Sequence, residues 1–526
     1  MVVESVSYKS NVSHTPSADC DVNTFTPTNG SAYQCPRDNF IEISIPVHKN
    51  GFLVAPSCRL NMTWKPAVVP ATADATAGLN LYANQIGSAG LIQKIELYNG
   101  SALIEEIDHY NRAYAGLQHL YLDPYQTGGN ACARDPAICP QYIKQYLDAT
   151  TPANSVYETD IPATGVQIGN AVGKTTPTAG ANEGLTSTIK CSLSLELSDL
   201  LGSASKKLLP MGLTNPYRLR IFLARDVTQV IHCYSADATT NVATTPASAV
   251  VNISDVSLTA KVITYDDETM DKMLASVGKK DGVLQWNGVQ LRQSVCNTPF
   301  NSEVQAIVPN SQWSNLVGMT CFPYWNVSNW NGDPYGNFGN GTYQAQLQID
   351  GKPFPQQYVG NGNSLCPETS LSELIISSVN CARPTCQIYS AHTQCHRTEQ
   401  PSVSGGVYTT SSPAGTSNCN YLAYGIVPDA FTPSNSQLNA YPNSITSSIR
   451  LHSKVTPFFS YGFRLASTEH GKLEDGADTR GRQCVIHLRQ ANTLTGAGAG
   501  ALTLVSQQVG VRYILDMNRG TIRVEM

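Results

Sequence analysis

Along most of this chain apolar and polar residues alternate with a period of two, the pattern of half-buried strands. Ile41, Ile43 and Ile45 alternate with polar neighbours in IEISIPV, and RLNMTWK (59–65) behaves the same way. The cleanest run is TIKCSLSLELS (188–198), where Ile189, Cys191, Leu193, Leu195 and Leu197 share one face. PYRLRIFLA follows with Tyr217, Leu219, Ile221 and Leu223, and then Val256, Leu258, Ala260 and Val262. The second half repeats the pattern in LQWNGVQLRQ, SEVQAIVP, NLVGMTCF and YQAQLQIDGKPF, and near its end in SSIRLHSKV, FFSYGFRLAS, RQCVIHLRQ and VGVRYILDMNRGTIRVEM. Two stretches have the helical period instead. Tyr110, Ala113, Tyr114, Leu117 and Tyr121 form one stripe behind an Asp108 cap, and 266–277 places Met270, Met273, Leu274 and Val277 on one face with Gly278 in the C′ position.

The stretch 91–123 organises the first half, because it sets a hairpin, its register and a helix together. Asn-Gly favours a type I′ turn, in which both central residues take φ > 0. Asn99 and Gly100 as turn centre put Ile95 opposite Ile104, Leu97 opposite Ala102, and Lys94 opposite Glu105. Asp350-Gly351 predicts a second such hairpin, and Asn518-Arg519-Gly520 a turn between the last two strands.

Composition supports an all-β fold with few helices. Charged residues make up 14% of the 526 residues, while 40 Gly and 30 Pro supply turns and long loops. A chain of this length fits two tandem sandwiches. Residues 1–37 read as a polar extended arm, 38–279 as the first sandwich and 280–526 as the second, with the cut at Lys279-Lys280-Asp281-Gly282. Long Gly-, Pro- and Thr-rich loops are expected at about 124–186 and 392–443.

A net charge of −5 argues against a generally basic nucleic-acid binder, and no sequence-specific nucleic-acid contact is expected. Residues 1–35 lack the apolar core of a secretory signal, and no stretch has the apolar length of a membrane-spanning helix. The 15 cysteines then read mostly as free thiols, and the sequons at Asn11, Asn29, Asn61, Asn99, Asn252, Asn326 and Asn340 carry little weight.

Candidate chemistry is sparse. VQIGNAVGKTT (166–176) comes one residue short of a phosphate-binding loop, since Ile168 stands where its first glycine belongs. Cys381, Cys386, His392, Cys395 and His396 could ligate zinc, but not at the spacing of tight Cys-x-x-Cys turns. Glu105-Glu106 and Asp266-Asp267 are carboxylate pairs of the kind a glycosidase uses, and 322–341 interleaves aromatics with Gly and Asn as sugar-binding loops do. His48, His109, His119, His232, His452, His470 and His487 stand apart from any nucleophile motif. Simpler structural roles account for each, so no enzyme activity, cofactor or metal is expected.

Four patches, in order, resemble one family. The IELYNG hairpin followed by IDHYNRAY, the LLPMGL corner before an Arg-bearing strand, YGFRLASTEHGKLEDGADTRGRQCVIHLR and VRYILDMNRGTIRV are together similar to the double jelly-roll major capsid proteins of adenoviruses, virophages, Polinton-like viruses and large DNA viruses. Leu473-Glu474-Asp475-Gly476 and Thr479-Arg480-Gly481-Arg482 depart from the family's late Pro-Ser-Gly and Asn-x-Ser-Arg, which sets the chain apart from the giant-virus branch. The resemblance implies two eight-stranded jelly rolls, a pseudo-hexagonal homotrimer, and neighbouring capsomers, penton and minor capsid proteins as partners. It also implies residence in the virion, with synthesis in the host cytoplasm and assembly there or in the nucleus. The rival expectation is a secreted carbohydrate-binding or glycoside-hydrolysing β-sandwich.

Overall fold

Alternation fixes which side chains a strand buries, and pairing fixes which sheet receives it. The computed structural model describes residues 18–67, 79–83, 87–114, 167–172, 188–195, 208–235, 250–278, 282–298, 303–325, 342–360, 401–404, 407–410, 461–465, 476–491 and 501–526. In the first half the strands are β1 (Ala18–Phe25), β2 (Ala32–Cys35), β3 (Phe40–Ile45), β4 (Gly51–Leu53), β5 (Arg59–Ala67), β6 (Leu79–Ala83) and β7 (Ile92–Asn99). They continue with β8 (Ala102–Ile107), β9 (Gln167–Val172), β10 (Ile189–Ser194), β11 (Leu209–Pro210), β12 (Tyr217–Leu223), β13 (Ile231–Ser235) and β14 (Val250–Tyr265). A helix, α1 (Asp267–Gly278), follows. The second half has β15 (Val283–Asn297), β16 (Glu303–Ile307), β17 (Leu316–Trp325), β18 (Thr342–Ile349), β19 (Lys352–Gly360), β20 (Pro401–Ser404) and β21 (Val407–Thr410). It ends with β22 (Tyr461–Arg464), β23 (Cys484–Ala491), β24 (Ala501–Asp516) and β25 (Thr521–Glu525).

The second half shows its topology most simply. One sheet runs β15-β24-β17-β22 and the other β16-β23-β18-β19. Counted in chain order, strands 1-8-3-6 form one sheet and 2-7-4-5 the other, which is a jelly roll. The first half has the same order with some strands split in two: β1 and β2 flank β14, then come β5 with β4, then β10 with β11, while the second sheet runs β3-β12-β7-β8. The fold is two jelly-roll sandwiches in one chain. Outside that order, β6 pairs with both β9 and β13, and β20 pairs with β21. Of these, β9, β20 and β21 fall in segments that the sequence assigned to loops.

The predicted alternation is realised on β12, where Tyr217, Leu219, Ile221 and Leu223 are buried and the residues between them are half-exposed. Burying each such side chain contributes about 1.5–3 kcal/mol. Trp64, fully buried on β5, donates its indole N–H to Ser88 Oγ at 2.7 Å and so fixes the buried 3₁₀ turn Gly87–Leu91 beneath it. The buried residues of both halves form one cluster from Phe25 to Ile522.

Of residues 1–37, expected as an extended arm, Ala18–Phe25 and Ala32–Cys35 are strands. β1 and β2 pair antiparallel with β14, and Phe25, Tyr33 and Cys35 enter the core. Their polarity has a physical cause: β1 is an edge strand on which Phe25 is the buried residue, so it presents no alternating apolar face.

The two hairpins differ. Asp350 and Gly351, at φ 52° and 75°, form the predicted type I′ turn between Ile349 and Lys352. At the other hairpin the turn slides by one residue. Asn99 pairs with Ala102, so Gly100 (φ 58°) and Ser101 are the central residues, and Asn99 belongs to the strand. Tyr98 faces Leu103, a bulge follows, and Leu97 faces Glu105 with Ile95 facing Ile107. Ile95, Leu97 and Ile104 are buried as expected, but Ala102 is not, and Lys94 bonds Glu106 and Glu96 instead of Glu105.

The helix after the hairpin begins at Tyr110, and Ala113 N donates to the carbonyl of His109, so the cap falls on His109 and not on Asp108. Leu117 and Tyr121 lie outside the described residues. α1 is capped by Asp266, whose carboxylate accepts from Thr269 N at 2.6 Å. Among the described residues no helix is long and apolar enough to cross a membrane.

Two outcomes follow. Deleting residues 1–37 removes β1, β2 and three core side chains, so that variant should lose its cooperative thermal transition and become insoluble; a soluble, cooperatively melting product would contradict the pairing with β14. Among the seven cysteines whose side chains are described, Cys20 is exposed while Cys35, Cys58, Cys191, Cys296, Cys321 and Cys484 are buried. Burial pushes the Cys35, Cys58 and Cys296 thiols up to about 12. Of these seven, Cys20 should therefore react with iodoacetamide in the native protein at pH 8, and the other six only after denaturation, as peptide mapping would show.

Candidate interaction surface

A group of buried polar side chains lies where the hairpin β7–β8 meets the second sandwich. Asn99 is 1% exposed. Its Nδ2 donates to Asn215 O at 2.8 Å, and its Oδ1 accepts from Ile522 N at 3.1 Å. Asn215 N in turn donates to Gly520 O at 2.7 Å, and Gly100 N to Pro216 O at 2.9 Å. Gly520 has φ 62°, and a Cβ there would lie 3.2 Å from Asn215 N, so the last turn of the chain docks as closely as it does because this residue is glycine. On the neighbouring strand Gln290, fully buried on β15, donates from Nε2 to Ile104 O at 2.8 Å and contacts Tyr513 Oη at 3.0 Å. Arg292 reaches Glu106 at 3.5 Å and donates to Gln290 Oε1 at 2.8 Å. Thus β8, at the edge of its sheet, lies against β15, the edge of another.

From this seam a lattice of charges and rings spreads over the outer face of β3-β12-β7-β8. Lys94 bridges Glu96 and Glu106, which sit opposite each other across two strands and would otherwise repel. Burial alone would lower the Lys94 pKa, but hydrogen bonds to Glu106 and Glu96 outweigh it and hold it above the usual lysine range. Tyr98 donates to Glu96 at 2.8 Å, and its ring carries Arg220 at 5.1 Å and Arg218 at 5.4 Å. Arg220 also pairs with Glu42 at 2.6 Å. The second sandwich has a similar unit: Glu303 on β16 pairs with Arg489 on β23 at 3.0 Å, the strands that match β3 and β12, and Arg489 lies 3.9 Å from the centre of the Tyr358 ring on β19.

The carboxylate pairs read from the sequence serve structure. Glu105 is buried beside the bulge, Glu106 joins the seam, Asp266 caps α1, and Asp267 accepts from Lys49 and Asn50. Hydrogen bonds from Lys49 and Asn50 hold the Asp267 carboxyl below the usual range. Gln167–Val172 is a strand, so Gly169 cannot open a phosphate-binding turn, and Phe322–Trp325 of the aromatic loop belong to β17. Of the histidines, His48 Nδ1 contacts Lys49 O and His109 Nδ1 contacts Gln93 Nε2, and burial lowers the His109 pKa. His232 lies on β13 and His487 on β23. Cys381, Cys386, His392, Cys395, His396, His119, His452 and His470 lie outside the described residues. The sequon amides of Asn29, Asn61, Asn99 and Asn252 are engaged within the fold. A cleft of about 830 Å³ opens beside the seam, lined by Glu106, Asp108, Arg292, Trp313, Arg482 and Gln507 among others.

No protein-family model matches this sequence, and no curated protein matches it. Solved structures do. A chain of the Sputnik virophage, determined by cryo-EM, is similar over 100% of this chain and 91% of its own, at 11% identity and a TM-score of 0.52. The mavirus major capsid protein aligns over 100% and 95% (11% identity, TM-score 0.48), and a chain of the PBCV-1 virus capsid over 99% and 99% (10% identity, TM-score 0.48). The likeness is one of fold and rests on the Sputnik chain. It agrees with the double jelly roll that the resemblance in the sequence implied.

Removing the bridging amide tests the seam. Asn99→Ala leaves Ile522 N and Asn215 O without that partner in a buried place, and each such loss costs about 1–3 kcal/mol. Denaturant unfolding should show a destabilisation of about 2 kcal/mol or more. A variant within about 0.5 kcal/mol of wild type would mean that the amide carries no weight at the seam.

Proposed function

We propose that this chain is the major capsid protein of an icosahedral double-stranded DNA virus and works by self-assembly, not catalysis. The observation that carries the reading is the same eight-position strand order in both halves of one chain, in a fold shared over the full length of this chain with one from the Sputnik virophage. Two similar sandwiches per chain give three copies six similar sides, so a homotrimer presents a pseudo-hexagonal outline that can tile a shell. The cut between the two units is placed near Lys279, and the first unit extends back to Ala18 because β1 and β2 complete its sheet. Neighbouring capsomers, penton and minor capsid proteins are its partners, the virion is its location, and synthesis falls in the host cytoplasm with assembly there or in the nucleus. The rival sugar-binding or glycoside-hydrolysing reading gains nothing from the carboxylate pairs, whose described members act as a cap, in ion pairs or in the core.

Light scattering on the purified protein should return a trimer, about three times the 56.6 kDa chain mass, and negative-stain images should show hexagonal particles. A monomer at micromolar concentration with measurable sugar affinity or hydrolysis would overturn the assignment.

A further inference from the structure

The two sandwiches treat one strand edge differently. The second strand of the first jelly roll, β3, and that of the second, β16, are both edges of their sheets, and each sets a glutamate directly opposite an arginine of the seventh strand: Glu42 opposite Arg220, Glu303 opposite Arg489. By this correspondence Ile43 matches Val304 and Ile45 matches Ala306. On β3 the chain covers the outward edge itself. Thr28 N donates to Glu42 O at 2.8 Å, Asn29 Oδ1 accepts from Glu42 N at 2.9 Å, and Asn29 Nδ2 donates to Phe40 O at 2.9 Å.

β16 lacks such a cover among the described residues. Val308 N donates to Cys484 O, so Val304, Ala306 and Val308 exchange hydrogen bonds with the strand β23 side, and the backbone N–H and C=O groups of Glu303, Gln305 and Ile307 point away from the sheet. The Glu42 side chain is 18% exposed and that of Glu303 57%, and Ile307 is 56% exposed. At the Ile307 end of this edge opens the cleft of about 830 Å³, with Trp313 and Arg482 contributed by the second sandwich and Glu106 and Asp108 by the first. An edge with bare backbone groups is a template for one more strand.

A segment of this chain has the pattern to fill it. Residues 1–17 lie outside the described residues, and their sequence alternates in the strand period over 5–13: Val6, Tyr8 and Val12 share one face, and Ser5, Ser7, Lys9, Asn11 and Ser13 the other. Glu4 and Lys9 cancel in charge, and the cleft is neutral as well, with Glu106 paired to Arg292 and one further charge of each sign on Asp108 and Arg482. The segment joins β1 at Ala18, opposite Tyr265, whose N–H donates to Asn50 O just past the end of β3. Fully extended it spans up to about 55 Å, against about 15 Å for the strand spacings from β3 to β8.

We infer that residues 1–17 add a strand to the outward edge of β16 in the same chain, with Val6, Tyr8 and Val12 on the side of Ile307 and Trp313. The tether holds the segment at an effective concentration of about a millimolar, so modest pairing energy suffices. Paired there, the arm ties the second strand of the second sandwich to the Glu106 end of β8 in the first. It needs no second copy and stands apart from the capsid reading.

A variant that begins at Ala18 keeps β1 and should melt cooperatively, while hydrogen exchange at the Glu303, Gln305 and Ile307 amides rises at least about tenfold over the full-length chain and exchange at Val304 and Ala306, bonded to β23, stays as it was. Gln305→Pro removes an N–H that points outward, so in the full-length chain it should spare the β23 ladder and raise exchange at Glu303 and Ile307 by a similar factor. Benzoylphenylalanine placed at Ile307 should, on irradiation, crosslink to a residue within 1–17 and give a product with the mass of one chain, 56.6 kDa. Equal exchange with and without residues 1–17, or a crosslink found only to other segments, would overturn the pairing. A crosslink to 1–17 in a product with the mass of two chains would overturn the same-chain arrangement.

Discussion

Buried backbone groups need partners, and at one place this requirement decides the register of a hairpin, the position of a bulge and the meeting of two sandwiches. Ile522 N and Asn215 O come from segments far apart in the chain, and the Asn99 side chain serves both. To reach them Asn99 stays in the strand, so the turn moves to Gly100 and Ser101. The pairing shift is absorbed by a bulge that leaves Ile104 and Glu105 opposite Leu97, and from there Ile104 O and Glu106 meet Gln290 and Arg292. Local turn preference amounts to a small energy beside the cost of two unsatisfied buried amide groups, about 1–3 kcal/mol each.

The outer face of β3-β12-β7-β8 follows a related logic. Three glutamates and four basic residues could not share a partly buried surface as isolated charges. They persist because each cation touches an anion or a ring: Lys94 between Glu96 and Glu106, Arg220 between Glu42 and Tyr98, Arg218 over Tyr98, and Arg292 on Glu106. A charge paired within the surface costs less to cover than an isolated one. On the second sandwich Glu303 and Arg489 pair on the strands equivalent to those of Glu42 and Arg220, and the ring over the arginine, Tyr358, comes from the edge strand β19.

The likeness to known structures has the same character. At 11% identity over the full length of this chain, what it shares with the chain of the Sputnik virophage is the fold. Each jelly roll in the chain ends in sheet edges, β8 in the first and β19 in the second.

What the sequence determined by itself lies where the cause is local. Tyr217, Leu219, Ile221 and Leu223 had to share a face, Asp350-Gly351 had to turn in the I′ form, and Asp266 had to cap the helix that follows, because each depends on neighbours within a few residues. The two-sandwich plan was legible from the repeated alternation and from four dispersed family-like patches. Tertiary structure decided the rest. β1 and β2 are too polar to read as strands and exist through pairing with β14, more than two hundred residues away. β9 lies in a segment whose composition reads as loop, and it is a strand through pairing with β6, which also pairs with β13. Asn99 turned from a turn residue into a strand residue because its partners sit near positions 215 and 522, and no local pattern records a hydrogen bond made at that distance.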